Sequence, residues 1–554
     1  MKTLITLSFL TFSSLLLLAQ NDVCQIDLPT TRVAAFALGE RVDFTFEYSV
    51  DAPGGVRIFP RPFTNGALTP GYGASGSPVY SGDGSGSAFF TINSGEVVVD
   101  EIRFIITTAD QSETLREFYI PVEYSFGENG VNNFRFNVEQ EVASFLHGEQ
   151  ATITFDYNIN HSGGTRIFIR PFTNGGLTPG YGASGSPTFT GTGSQTVNFT
   201  INSGINVRVD HLRVVITNDD QSETLKTFFV PVNWYWSNVK VTNFGIMQDN
   251  FAANGEQRTV VYDYETTVPG GVRIFPRPYT NGGLTPGYGA CGSGLYSGAG
   301  SGDCNFTINS GNRRVDHIRF QATSADQSEV LLLILYPTDL FFGNVLIENL
   351  VTCPPSPARL LHGERVNGFF DYTNNQSEGG RMFFRPATEG SLTPGYGASG
   401  SPAYAPGSGS SDGFFTINSG EVVVDQIHFI TTNENQSVDW GTFTYDVYYE
   451  YGDGMITSTI DPTVPDYLSL QLGPNPAQSS TWIRIHSEEQ TQVHIRIMDL
   501  QGRLMGNWPS MELPAGIETQ QELPLGDFGL ANGIYLLQVQ GDDFQWTEKL
   551  VVQR

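Results

Sequence analysis

In the segment GGVRIFPRPF, arginines alternate with rings. Side chains on an extended strand point to opposite faces in turn. Val56, Ile58 and Pro60 therefore share one face, and Arg57, Phe59, Arg61 and Phe63 share the other. Guanidinium planes interleaved with aromatic rings suit sugar rings, carboxylates and sulfates, through stacking and forked hydrogen bonds. The pattern returns as Arg166, Phe168, Arg170 and Phe172, and again as Arg273, Phe275, Arg277 and Tyr279. A fourth copy keeps Arg381, Phe383 and Arg385 but ends in Ala387. Arg103, Arg213 and Arg319 join this ladder if the later strand VVVDEIRF and its counterparts lie alongside. The competing reading is a solvated sheet face, with the arginines paired to the chain's many acids.

A loop rich in Gly, Ser and Pro follows each ladder, and in the first copy it runs from Thr64 to Ser87. Loops this long are usually functional or disordered. Within it LTPGYGA is identical in all four copies, while the neighbouring strands drift. Loops normally vary more than cores, so the identity needs a cause. Tyr72, Tyr181, Tyr288 and Tyr396, each between two glycines, are either exposed contacts for a glycan or plugs folded over the end of a domain. Recent duplication would also preserve the string.

Acidic columns recur at Asp100, Asp210, Asp316 and Asp425, and at Asp110, Asp220 and Asp326. Calcium is the metal such columns would take, and it needs six to eight oxygens. No run supplies them at the spacing of a known calcium loop, so turn capping and pairing with arginine are the simpler roles. The eight histidines form no column that survives four copies: His211 and His317 align with Glu101 and Gln426. Catalysis by a fixed acid, base or nucleophile needs a fixed place, so the expectation is a non-enzymatic protein without a cofactor. Cys291 and Cys304 appear together in the third copy, which suggests a local bridge in an oxidising compartment. Cys24 and Cys353 belong to the first and fourth copies. They either remain thiols, link two molecules, or bridge and bend the chain into a closed shape.

These residues sit on a repeating framework. LTPGYGA begins at Leu68, Leu177, Leu284 and Leu392, and Gly-Glu pairs and TINSG travel with it. The offsets are 109, 107 and 108 residues, the size of a domain with its own core. Alternating runs such as RVDFTFEY and ATITFDY, punctuated by Gly, Pro and Asn, predict six or seven antiparallel strands per copy. The fold class expected is all-β: four tandem immunoglobulin-like β-sandwich repeats and a small C-terminal β-sandwich. The boundaries read as a signal peptide over 1–19, repeats over 20–127, 128–236, 237–343 and 344–452, a linker over 453–466, and a last domain over 467–554. Short junctions suggest a semi-rigid rod, with each domain roughly 35 Å long and four spanning about 140 Å.

Lys2, the apolar run from Leu4 to Leu18 and the small Ala19 make a secretory leader. No later stretch is apolar for long enough to span a membrane as a helix. With 57 acidic and 29 basic side chains the net charge is -28, which argues against nucleic acid held by bulk charge. After Gly454 the repeat columns vanish, and the chain reads LQLGPNPAQSSTWIRI, IRIMDLQGRLM, GLANGIYLLQVQ and KLVVQR. This resembles the type A C-terminal sorting domain of the type IX secretion system of Bacteroidetes. The matching positions are Pro474, Asn475, Pro476, Gly502, Gly533, Tyr535 and Lys549. The resemblance implies export, with the secretion machinery as partner, and release or attachment at the outer cell surface. Together these readings suggest an adhesin-like protein that binds polysaccharide or a surface partner multivalently. The alternatives are a structural stalk or surface-layer component, with the ladders and tyrosine loops buried between repeats or protomers, and, less favoured, a polysaccharide hydrolase.

Overall fold

The computed structural model describes residues 21–138, 142–173 and 176–452, and a set of strands between Leu468 and Val552. The expected leader and linker lie outside the described residues. Every regular element described is a strand, so the chain is all-β as its alternating runs predict.

The first repeat contains β1 (Asp22–Asp27), β2 (Val33–Ala37), β3 (Arg41–Val50), β4 (Val56–Thr64), β5 (Ala67–Leu68), β6 (Tyr72–Ala74), β7 (Gly82–Ile92), β8 (Val97–Thr108) and β9 (Thr114–Gly127). One sheet has the order β1-β3-β7-β6, and the other runs β2-β9-β8-β4-β5 with β2 parallel to β9. This is an immunoglobulin-like sandwich whose first strand is divided between the two sheets. The same two strand orders recur in the second and third repeats. In β3 the alternation is directly visible: Val42, Phe44 and Phe46 are buried, while Arg41, Asp43 and Thr45 are exposed. They meet Ile102, Phe104 and Ile106 of β8 and Phe118 of β9, with Phe104 stacked on Phe118 at 5.1 Å. Each such ring contributes about 2–3 kcal/mol by leaving water.

The first two junctions run laterally through the split first strands, and the third uses last-strand residues. Val131, which opens the second repeat, pairs with Ala35 of β2. Val241 N–H of the third repeat donates to Ser144 Oγ of the second at 3.2 Å. Between the third and fourth, Asn312 Nδ2 donates to Trp440 O at 2.8 Å, and Phe341 meets Phe443 edge-on at 5.5 Å.

The fourth repeat then returns to the first. Strand Ala358–Leu361 pairs antiparallel with β9, placing Arg359 opposite Tyr119 and Leu360 opposite Phe118. Cys24 is bridged to Cys353 across this junction. The buried Arg116 reaches Asp22 and Glu364 and donates to Cys353 O at 3.2 Å, while Asn367 Nδ2 donates to Asp22 at 2.8 Å. The expected rod is therefore corrected to a closed four-repeat arrangement. Its cause is the exposed edge of β9, which the fourth repeat covers rather than leaving its backbone groups open.

The C-terminal strands form a unit of their own. Leu468–Gly473, Thr481–Ser487 and Ile517–Leu523 make one sheet. Thr491–Asp499 lies at the centre of the other, beside Gly533–Gln540. Ile483, Ile485, Ile495, Ile497, Leu537 and Val539 fill the space between them.

Candidate functional site

Strand β4 carries the ladder as its alternation requires. Val56, Ile58, Pro60 and Pro62 are buried, and Arg57, Phe59 and Arg61 face the other way, half-buried. The arginines of the first column have internal tasks. Arg57 Nε donates to Ala109 O at 2.9 Å, and its Nη1 donates to Ser77 O. Arg166 bonds Asp219 O at 2.6 Å and Ser186 O at 2.8 Å, and Arg273 bonds Ala325 O at 2.9 Å and Ser293 O at 2.8 Å. Arg381 bonds Glu434 O at 2.7 Å and also Ser401 O. In every copy this arginine fastens the long loop and the β8–β9 turn to the sheet.

The second arginine column and the loop tyrosines form one unit. Arg61 hydrogen-bonds Tyr72, and the pairs Arg170/Tyr181, Arg277/Tyr288 and Arg385/Tyr396 repeat the contact. Burial pulls these four guanidinium groups below their ordinary pKa, and the tyrosine bond partly offsets it. Each also lies near the preceding ring: Arg61 is 5.2 Å from Phe59, Arg170 5.2 Å from Phe168, Arg277 5.2 Å from Phe275 and Arg385 4.9 Å from Phe383.

Residues of LTPGYGA hold the loop in place. The loop runs along the outer edge of β4, where Val56 and Tyr80 exchange two backbone bonds and Ile58 N–H donates to Ser77 Oγ at 2.8 Å. Pro60 and Pro62 carry no N–H along that edge. Thr69 is buried; its N–H donates to Pro62 O at 3.0 Å, and its hydroxyl meets Thr64 Oγ1 at 2.8 Å. Gly71 adopts φ +71°, and a Cβ there would stand 2.9 Å from Ser94 Oγ. Asp100 accepts the Asn65 N–H at 2.7 Å, as Asp316 does for Asn281 at 2.6 Å.

The other polar columns also close turns. Asp110 Oδ1 accepts the Ser112 N–H at 3.1 Å and the Thr108 hydroxyl at 2.7 Å, which lowers its pKa to about 2. Asp220 and Asp326 repeat the turn, and Asn435 holds it in the fourth repeat. Among the described residues no three His, Cys, Asp or Glu side chains gather as metal ligands. His211 and His317 each bond the preceding aspartate at 2.8 Å. Cys291 is bridged to Cys304.

What differs between repeats is the cover over the outer face of the β4-β8-β9 sheet. In the first, Arg359 of the fourth repeat forks onto Glu101 and lies 3.8 Å from the Tyr119 ring. Burial lowers the Arg359 pKa, but the Glu101 bonds and charge together lift it above its ordinary value. In the fourth, Thr444 occupies the place of Tyr119; its carbonyl accepts Arg314 at 2.6 Å and its hydroxyl accepts Asn281 at 3.2 Å, both from the third repeat. In the second, Phe229 stands in that place, 37% exposed and 5.0 Å from Phe172. Arg359 and Glu101 are 258 residues apart and recur in no column, so periodicity alone does not find them.

Of the sorting positions, Gly533 and Tyr535 lie on the strand Gly533–Gln540, with Tyr535 buried, and Lys549 lies on Gln545–Val552. Pro474, Asn475, Pro476 and Gly502 fall outside the described residues.

No curated protein matches the chain. Among solved structures, Escherichia coli alpha-2-macroglobulin activated by porcine elastase is similar at 10% identity and a TM-score of 0.19, covering 96% of this chain and 53% of that one. The chain thus spans about half the length of that protein. The N-terminal eight immunoglobulin domains of Down Syndrome Cell Adhesion Molecule match at 9% identity and a TM-score of 0.21, covering 94% and 67%. Scores of this size leave the fold to rest on the strand order itself. Among the described residues no helix is long and apolar enough to cross a membrane. Residues 471–553 match the family described as the secretion system C-terminal sorting domain, so the chain ends in a type IX sorting domain and is exported to the extracellular space or the outer cell surface.

Proposed function

We propose that this is a non-enzymatic, adhesin-like repeat protein that binds a polysaccharide or a surface partner through the outer faces of its repeats. The observation that carries this reading is the pair of fates of one face. In the first repeat an arginine from the fourth lies across it, from a strand paired at its edge, so it is a docking surface within the molecule, whereas the second repeat keeps it open with Phe229 exposed. The arginines of the β4 ladder contribute differently from their first reading. Arg57 and its counterparts hold the loop, Arg61 and its counterparts stand on the face beside the loop tyrosine, and the rings next to them supply contact area. No cofactor enters this function.

A structural role is the second reading, favoured by the burial of this face at the junction of the first and fourth repeats. The full chain, screened on neutral and acidic polysaccharides with calcium or a chelator, separates the two. Saturable binding weakened by Phe229→Ala supports the adhesin reading. Binding to no glycan or cell surface leaves the structural one.

A further inference from the structure

Strand register places arginine directly opposite arginine across the β4 and β8 positions. Arg61 faces Arg103, Arg170 faces Arg213, and Arg277 faces Arg319. Like charges at opposed positions destabilise a sheet unless an anion lies between or beside them. The first repeat supplies one itself, since Glu117 of β9 lies 3.7 Å from Arg103 Nη1. Its place, four residues before the proline of β9, is taken by Thr227 in the second repeat and Leu333 in the third, and both are exposed. Among the described residues no carboxylate lies within ion-pair distance of Arg170, Arg213, Arg277 or Arg319.

We propose that Arg170/Arg213 and Arg277/Arg319 are two clamps for the carboxylates of a uronic-acid polysaccharide. The inference rests on the adhesin reading above and names its ligand class. A carboxylate is indicated because the molecule places its own carboxylate there in the first repeat. A sugar polymer is indicated by the rings beside each pair: Phe168, Phe172 and Phe229 in the second repeat, and Phe275 with Tyr279 in the third. Two other acids of the first repeat's face are also replaced in the second, Glu101 by His211 and Glu123 by Asn233. Of the acids remaining there, Asp210 is bonded to His211, and Asp219 is paired with Arg166 at 3.3 Å. Thus a locally basic, aromatic face stands on a chain of net charge -28, whose field beyond a Debye length of roughly 8 Å is screened. Two weak clamps on adjacent repeats gain affinity through effective concentration.

The test uses the full chain with polygalacturonate, dextran and dextran sulfate as probes. Thr227→Glu/Leu333→Glu installs the first repeat's carboxylate at two exposed positions, and Arg213→Gln/Arg319→Gln removes one arm of each clamp. The expected result is polygalacturonate binding that falls at least tenfold in both variants, with unchanged thermal transitions. Equal binding by wild type and the Glu variant overturns the clamp. Binding to dextran alone overturns the carboxylate assignment but keeps the adhesin reading, and preference for dextran sulfate, which carries sulfates and no carboxylate, overturns uronate as the ligand. Binding to none overturns both.

Discussion

Arg359 of the fourth repeat forks onto Glu101 of the first, its Nε and Nη2 lying 2.5 and 2.7 Å from the two carboxylate oxygens. Arg359 stands four residues before the Gly363-Glu364 pair, where the other repeats have Ala35, Ser144 and Phe251. Ala35 and Ser144 hold the next repeat in sequence, and Arg359 instead holds the first. Closure therefore uses a position already placed at each junction, with the side chain exchanged for one that reaches Glu101.

With the Cys24–Cys353 bridge intact, Arg359→Ala is expected to leave the molecule compact. Combined with Cys24→Ser/Cys353→Ser, it opens the junction and increases the radius of gyration in small-angle X-ray scattering. A double-mutant cycle between Arg359→Ala and Glu101→Ala should show coupling of about 1–3 kcal/mol. Unchanged scattering from the triple variant would show that the remaining Arg116 contacts hold the junction alone.

Lys226 of the second repeat is the counterpart of Arg116, and among the described residues its ammonium is buried without a hydrogen-bond partner at the end of β9, where a Cβ on Gly127 would lie 3.3 Å from Nζ. Burial lowers its pKa from 10.5 to about 8, against the raising field of Glu96. Between those values the unfolded chain binds more protons than the folded one, so stability rises with pH from about 8 to 10.5. Lys226→Met is expected to stabilise the protein at pH 7 by roughly 1–3 kcal/mol and to flatten this rise. Denaturant melts of both proteins at pH 7 and 10 check it; parallel pH curves would count against it.

The strands were legible because RVDFTFEY and VRIFPRPF place buried and exposed residues at a period of two, and each sandwich buries one face. The sorting domain was legible because its motifs are local. The role of the ladder arginines was less so. Alternation gives the side on which Arg57 leaves the strand, but not that Ser77 O and Ala109 O come within its reach, since those depend on how the loop returns along the edge. The closed arrangement was legible only as one of three fates of Cys24 and Cys353: choosing it depends on contacts between residues such as Asn367 and Asp22, 345 positions apart and outside the repeat columns.

Thr69→Val removes a buried hydroxyl that meets Thr64 Oγ1 and leaves its backbone bond to Pro62 intact. The cost is expected to be about 1–2 kcal/mol in the first repeat alone. Arg57→Ala removes two bonds to backbone carbonyls and frees the loop without touching the core. Limited proteolysis should then cut between Leu68 and Gly82 in the Arg57→Ala variant and spare the equivalent loops of the other repeats. Uniform resistance would mean that the Val56–Tyr80 bonds suffice to hold the edge.

Arg116 is buried with Asp22 and Glu364 at the closing junction, so its removal leaves two carboxylates facing a site that has lost its cation. Burial already raises the Glu364 pKa, and the Arg116 charge opposes that rise. In Arg116→Met the opposition is gone, so the folded state binds a proton at higher pH than the unfolded chain does. Stability of the variant should therefore increase as pH falls towards the unfolded carboxylate value, opposite to the trend of a salt-bridged acid. At pH 7 the loss is expected to be about 3 kcal/mol, since breaking a buried ion pair exposes the full desolvation cost of the partner left behind. Adding Asp22→Asn/Glu364→Gln to Arg116→Met should recover most of it. Failure of that triple variant to recover, with no pH trend in Arg116→Met, would assign the loss to packing of the arginine stem rather than to its charge.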